Sequence, residues 1–353
     1  MDRYTRQTSL SDFGEVGQQK LSEAKVLVVG LGGLGLPALQ YLNAMGVGTL
    51  GLIDQDIVDY HNLQRQILYT EKDVGKSKLN TAHNKLQSQN SETNFILHDT
   101  FLTRNNALEI IKEYDLVLDA TDNFPTRYLI NDACVVLNKP FVYGALHGFE
   151  GHVSVFNFKG GPTYRCLYPE MPTVEEIPNC DENGVLGVTP GIIGNLQALE
   201  AIKVVTGIGK VLSGKLLVFD GLHQNYLKIA FKTHPENLAI KELRETYESS
   251  GCSIINSISA QDFSQKRLNK SQIVLDVRTP KEFEHNHLAE SINVPLQELE
   301  LPFNLIESKA PIYVICQSGK RSELAIEQLQ KAHPELTFCN ILGGMNRLSI
   351  LTQ

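Results

Sequence analysis

Residues 25–54 limit what this chain can fold into more than any other stretch. An apolar run, KVLVV, leads into Gly30-Leu31-Gly32-Gly33-Leu34-Gly35, an amphipathic segment of helix length follows to Met45, and a second apolar run, TLGLI, ends on Asp54. Glycines spaced as G-x-G-x-x-G between a strand and a helix make a tight turn, let a phosphate approach backbone N–H groups, and set the next strand's terminal carboxylate near ribose hydroxyls. By itself this fingerprint points first to a dinucleotide cofactor and an NAD-dependent oxidoreductase, and a purely structural turn is its bland alternative. The alternation continues through FILHD, LVLDATD and FVYGAL, which predicts an α/β fold with a doubly wound, mostly parallel, Rossmann-like sheet.

A chain of 353 residues exceeds the roughly 250–300 at which single cores stop growing, and 42% hydrophobic residues give material for two. Past Gly151 a strand, HVSVFNF, precedes a polar, proline-containing segment over 159–190, read as a loop that moves over the site. A helix-like run, IIGNLQALEAIKVV, and two strands, KLLVFD and NYLKIAF, complete a first domain over 1–231. The charged stretch 232–252 reads as a linker with some helical character, and 253–353 as a second small α/β domain.

The formal net charge of −8 disfavours nucleic acid or an anionic membrane as the main partner. There is no signal-like apolar segment at the N-terminus and no run of about 18 apolar residues, so a cytoplasmic protein is expected. The 6 cysteines lack any C-x-x-C pairing, in keeping with reduced thiols.

The residues after Asp54 change the reading of the glycine turn. Asn62, Arg65 and Gln66 stand in HNLQRQ, Lys78 in GKSKLN, and Asp122 and Asn123 after LVLDAT. Hydride transfer has no need of two cations and an acid at these places, whereas nucleotidyl transfer needs cations on a triphosphate and a carboxylate for Mg²⁺. Together RYTRQ, GLGGLG, LIDQD, NLQRQ, GKSK and ATDN resemble the MoeB/ThiF family, relatives of the ubiquitin-activating enzymes, over roughly 1–231.

The resemblance implies ATP as cofactor, with Gly30, Gly32, Gly33, Gly35 and Asn123 around it, Asp54 on the ribose, and Asn62, Arg65 and Lys78 on the phosphates. It implies Asp122 as the Mg²⁺-binding and catalytic acid, and Arg6 as a finger inserted into the neighbouring subunit of a homodimer. The implied substrate is a small ubiquitin-like sulfur carrier ending in Gly-Gly. Its carboxylate would attack the α-phosphorus, giving an acyl-adenylate and pyrophosphate, so the site must neutralise charge and hold the reactants in line.

Cys316 opens CQSGKRS, between the apolar run PIYVI and a helix-like segment. Successive N–H groups in such a turn form an anion-holding nest that stabilises a thiolate or persulfide. Lys320 and Arg321 would oppose the helix dipole unless an anion were bound. With LDVRTPKEFEHNHLAESINVPL upstream and LGGMNRL downstream, 254–351 resembles the rhodanese family. This implies Cys316 as the persulfide carrier, Gln317, Ser318, Gly319, Lys320, Arg321 and Ser322 as its cradle, and a persulfide donor such as a cysteine desulfurase. By position Cys180 matches a residue that some relatives use to accept the carrier or to form a product-releasing disulfide; an incidental loop thiol is the alternative.

Many relatives hold a structural zinc on two C-x-x-C pairs. Here the first pair reads Thr163-Tyr-Arg-Cys166, 232–251 has no cysteine, and Cys252 stands alone, so no zinc is expected. Cys134 and Cys339 read as packed thiols. Adenylation followed by sulfur delivery resembles the fused adenylyltransferase–sulfurtransferase proteins, with molybdopterin synthesis as the best-fitting pathway and thiamine synthesis or tRNA thiolation as alternatives.

Overall fold

The computed structural model describes residues 3–172, 184–247, 256–269, 272–299, 301, 310–317 and 319–351. Cys180, Cys252 and Ser318 lie outside them. The chain divides into two compact units, 1–249 and 250–353.

The first unit is built on strands β1 (Lys25–Val29), β2 (Thr49–Ile53), β3 (Asn94–His98), β4 (Leu116–Asp119), β5 (Phe141–His147), β6 (Glu150–Phe156), β7 (Lys215–Asp220) and β8 (Asn225–Ala230). They form one sheet in the order β3-β2-β1-β4-β5-β6-β7-β8. The first five are parallel and the last three are added antiparallel. Alternation along β1 divides the core in two, Val26 and Val28 entering one apolar cluster and Leu27 and Val29 the other. Helices α2 (Gly14–Glu23), α3 (Gly35–Ala44), α4 (Lys78–Gln89) and α8 (Val188–Thr206) cover the first face. The other is covered by α5 (Ala107–Ile111), α6 (Phe124–Val136) and α7 (Tyr164–Leu167). The strand order reverses between β1 and β4, and such switch points open a crevice beyond the carboxyl ends of the strands. A short helix, α1 (Thr5–Thr8), precedes α2.

Two segments differ from the sequence reading. Within 159–190, residues 164–166 are buried in α7, and α8 begins at Val188, with Pro190 in its first turn where its missing N–H costs nothing. The part of this loop around Cys180 lies outside the described residues. In the expected linker, Leu243 and Tyr247 pack into the second core cluster, and the Tyr247 hydroxyl donates to Asp132 Oδ2 at 2.9 Å. Two apolar anchors in a charged run suffice to hold it on the first unit.

The second unit has β9 (Asn256–Ser259), β10 (Ile273–Asp276), β11 (Ile292–Asn293), β12 (Ile312–Ile315) and β13 (Phe338–Leu342), all parallel, in the order β11-β10-β12-β13-β9. With them go α9 (Ala260–Asn269), α10 (Pro280–His285), α11 (Lys320–Ala332) and α12 (Gly344–Leu351). Among the described residues no helix is long and apolar enough to cross a membrane.

Candidate active site

The glycine turn sits at the carboxyl end of β1. A Cβ on Gly35 would lie 2.0 Å from the Gly30 carbonyl oxygen, so only glycine lets α3 start so close to the strand. Asp54 is pinned by two backbone donors, its Oδ2 accepting from Leu31 N–H at 2.8 Å and its Oδ1 from Asp56 N–H at 2.7 Å. Burial holds its carboxyl above the ordinary range, against the pull of nearby Lys78. The buried Tyr69 hydroxyl lies 3.1 Å from Leu31 O and 3.2 Å from Lys78 O, which ties the turn to the start of α4.

Lys78 opens α4, whose N-cap Ser77 accepts from Asn80 N–H. Its ammonium donates to Asp56 Oδ2 at 3.1 Å with the side chain only 9% exposed. Burial opposes its charge, but the carboxylates of Asp54, Asp56 and Asp122 together outweigh this and hold Lys78 above the ordinary lysine value. Three acids surround one cation. Asn62 is buried and accepts from Asp59 N–H at 3.2 Å, and Arg65 donates back to His61 O at 3.0 Å. Gln66 is buried beside Gly32, and its Oε1 has no protein partner among the described residues.

Asp122 is exposed at the mouth of the crevice, and Asn123 caps α6, its Oδ1 accepting from Thr126 N–H at 2.9 Å. The loop that carries them rests on a buried network the sequence reading did not single out. Asp119 Oδ1 accepts from both Thr121 N–H (3.0 Å) and Thr121 Oγ1 (2.6 Å), Arg127 Nη2 donates to Thr121 O (3.0 Å), and Gln197 Nε2 donates to Asp119 O (2.7 Å). The Arg127 guanidinium also lies 5.5 Å from the ring centroids of Phe124 and Tyr143. The second acid, Asp56, and Tyr69 were likewise not foreseen as site residues, although Asp56 was visible in LIDQD.

The donor set fits a nucleoside triphosphate with Mg²⁺. Gly30 and Gly35 leave no room for a side chain while Gly32 meets only Gln66 Nε2 at 3.6 Å, the buried Gln66 oxygen has no partner among the described residues, and Asp56 and Asp122 are exposed carboxylates of the kind that hold Mg²⁺ beside phosphates. Among the described residues no three His, Cys, Asp or Glu side chains form a metal cage.

Arg6 is not brought to this site within its own chain. Exposed on α1, it sits where Gln7 Nε2 donates to Met45 O (2.9 Å) and Arg3 Nη1 to Gln89 O (3.1 Å), at the C-terminal ends of α3 and α4. The glycine turn and Lys78 are at the opposite ends of those helices, about 15 Å away at 1.5 Å per residue.

In the second unit Cys316 directly follows β12 and is fully buried. Its Sγ accepts from Gly319 N–H at 3.1 Å, and Ser322 Oγ lies 3.4 Å from Sγ, 2.8 Å from Gly319 O and 2.7 Å from Asn340 Oδ1. The downstream glycine pair braces this loop from behind. Met345 N–H donates to Cys316 O (2.9 Å) and Asn346 N–H to Gln317 O (3.0 Å). Gln317 is gripped on both sides, its Oε1 accepting from Arg278 Nη1 (3.1 Å) and its Nε2 donating to Asn346 Oδ1. Arg278 itself forms a buried ion pair with Asp276 at 2.7 Å.

Arg321 corrects the sequence argument from the helix dipole. Its guanidinium is not waiting for an anion, because it makes a bidentate pair with Glu282 at 2.9 and 2.7 Å. That hydrogen bond, with help from Thr279, lowers the Glu282 carboxyl to about 2. Glu282 also closes the capping box that starts α10 on Thr279.

Residues 4–239 match the ThiF family and residues 239–350 the rhodanese-like domain. The chain is 40% identical over 370 residues to the adenylyltransferase and sulfurtransferase MOCS3-2 of Drosophila pseudoobscura pseudoobscura, covering 98% of this chain and 82% of that protein. It is 38% identical over 374 residues to the adenylyltransferase and sulfurtransferase MOCS3 of Aedes aegypti, covering 98% and 85%. Among solved structures, E. coli MccB with ATP superposes with a TM-score of 0.61 at 22% identity, covering 68% of this chain and 73% of that one, which is a likeness of fold.

Proposed function

Because the chain belongs to the ThiF family and carries a rhodanese-like domain behind it, we propose that it adenylates the C-terminal glycine of a small ubiquitin-like sulfur carrier and converts that end to a thiocarboxylate. The observation that carries the reading is Lys78, a nearly buried cation at the start of α4 that pairs with Asp56 at 3.1 Å and is tied through Tyr69 to the glycine turn.

A carrier carboxylate oxygen bonds to the α-phosphorus of ATP while the bond to pyrophosphate breaks. Lys78, Asn62 and Arg65 hold the phosphates in line, and Asp54 orients the ribose from its backbone-pinned position. Asp122 would hold Mg²⁺, which would supply charge neutralisation on the phosphates. The sulfane sulfur of a Cys316 persulfide then bonds to the acyl carbon as AMP leaves. A second thiol attacking Cys316 Sγ releases the thiocarboxylate and leaves a disulfide, a role for which Cys180 is the candidate.

Arg6 reaches the site of a partner subunit in a homodimer. The exposed Val16, Tyr41 and Leu199 on the helical layer of α2, α3 and α8 suit such an interface. The protein works in the cytoplasm, a cysteine desulfurase or similar persulfide donor charges Cys316, and molybdopterin synthesis is the pathway, with thiamine synthesis and tRNA thiolation as the alternatives to test. Nucleic acid and membranes take no part.

ATP–pyrophosphate exchange with each candidate carrier, in the native protein and in Asp122→Ala, tests this. Exchange supported by one carrier and lost in the variant is expected and identifies the pathway. A folded, ATP-binding protein that exchanges with no carrier would overturn the reading.

A further inference from the structure

The zinc that the fold family implies is at odds with the chemistry at its expected place. The structure brings together two pairs with the same spacing from segments far apart in sequence, Thr163-x-x-Cys166 at the start of α7 and His234-x-x-Asn237 beyond β8. At their meeting point is a single sulfur. Cys166 Sγ accepts from Thr163 N–H at 3.4 Å, from His234 N–H at 3.3 Å and from the Asn237 Nδ2 amide at 3.7 Å, with Thr163 Oγ1 at 3.4 Å and His234 O at 3.9 Å.

The three nitrogens turned toward the sulfur each present a hydrogen. A metal at that point would need lone pairs there, and a backbone amide N–H has none to give. The His234 imidazole does not compensate: it is 55% exposed and pairs outward with Glu236 at 3.4 Å. Cys166 thus stands as one soft ligand where a structural zinc site takes four.

We infer that the Cys166 thiol replaces the metal as the hub of a hydrogen-bonded clasp, which fastens the chain around residue 234 to α7 and makes the fold independent of zinc. A sulfur is large enough to meet several donors at 3.3–3.7 Å at once, as a tetrahedral ion meets its ligands. From the clasp the chain continues to the Tyr247 hydroxyl bond with Asp132, which also holds the buried Arg165 at 2.7 Å. Cys166 and Arg165 are neighbours in α7, so both fastenings end on the same helical turn. The inference concerns this departure from the family alone and does not depend on the adenylation chemistry.

The test uses the full-length protein. Elemental analysis of the protein as isolated should find no stoichiometric zinc, and its thermal unfolding should be unchanged by a strong zinc chelator. Cys166→Ala should lower the unfolding temperature and speed proteolysis within 232–247, and Cys166→Ser, which keeps an acceptor, should do so less. The variant T163C/H234C/N237C should bind one Co²⁺ per chain with the visible absorption of tetrahedral thiolate coordination, which the native protein should not show. Zinc bound one per chain and lost in Cys166→Ala would overturn the inference, as would a folded T163C/H234C/N237C protein that binds no Co²⁺.

Discussion

Replacing Gly344 by alanine tests whether the downstream glycine pair holds the persulfide loop in place. Gly344 has φ +54°, and an added Cβ would lie 2.3 Å from Cys316 O and 2.9 Å from Gln317 O, where ordinary contact begins at 3.4 Å. The clash is with backbone rather than with the end of a flexible side chain. Relief requires a shift of about 1 Å, which breaks the bonds from Met345 and Asn346 N–H to those carbonyls, about 1 kcal/mol each. The left-handed conformation adds roughly 1–2 kcal/mol for an L-residue. Gly344→Ala should therefore destabilise the second unit by about 3–4 kcal/mol, a large share of the 5–15 typical of a domain. Gly148→Ala is the control, since it has φ +58° and open space around its Cβ, so it carries the conformational cost alone. Persulfide loading of Cys316, read by mass spectrometry, should fail in Gly344→Ala while carrier adenylation continues. If Gly344→Ala melts no lower than Gly148→Ala and loads sulfur at the native rate, the brace does not position the loop.

Arg127→Lys, which loses the bond to Thr121 O, should lower kcat for pyrophosphate exchange about 10- to 100-fold by loosening the loop that carries Asp122, with the KM for ATP little changed; an equal change in both would show a merely structural role. Glu282 is held low by Arg321, so its contribution to stability is complete above the ordinary carboxyl value of 4.5 and is lost as pH falls toward about 2. Glu282→Gln should thus be less stable than the native protein near neutrality, and thermal unfolding across that acid range should bring the two together. Asp132→Asn leaves the Arg165 guanidinium buried without its counter-charge and should cost about 3–5 kcal/mol, measured by denaturant unfolding.

Much of the first site was legible in the sequence because its chemistry is local. The glycine turn, Asp54, Asn62, Lys78 and Asn123 each begin or end an element, and apolar runs mark those boundaries plainly. Asp119 and Arg127 were not, since a buried acid and arginine look like surface charges until the sheet brings the helix face over them. Cys316 and Gly319 were visible as a strand-to-helix turn, but the pairing of Arg321 with Glu282 joins residues 39 apart and leaves no local pattern. Residues 232–247 show the same limit, because a few well-placed anchors decide the packing of a segment whose average composition is that of a linker. Arg6 lies at the far ends of α3 and α4 from its own glycine turn, and no periodicity in a four-residue helix could reveal that placement.

The sheet order of the second unit also constrains how it can be made. Its first strand, β9, lies at the edge and pairs with its last, β13, Cys339 opposite Asn256 and Leu342 opposite Ser259. During synthesis β9 therefore emerges with no partner and stays unpaired until some eighty further residues have been made. Contacts that distant in sequence close slowly, and a strand waiting with its edge open is exposed to association in the meantime. The adenylating unit, finished earlier on the same chain, can already be folded by then. An arrested chain ending just before β13 would carry the whole first unit and a second unit in which β10, β11 and β12 can pair while β9 still waits at an open edge.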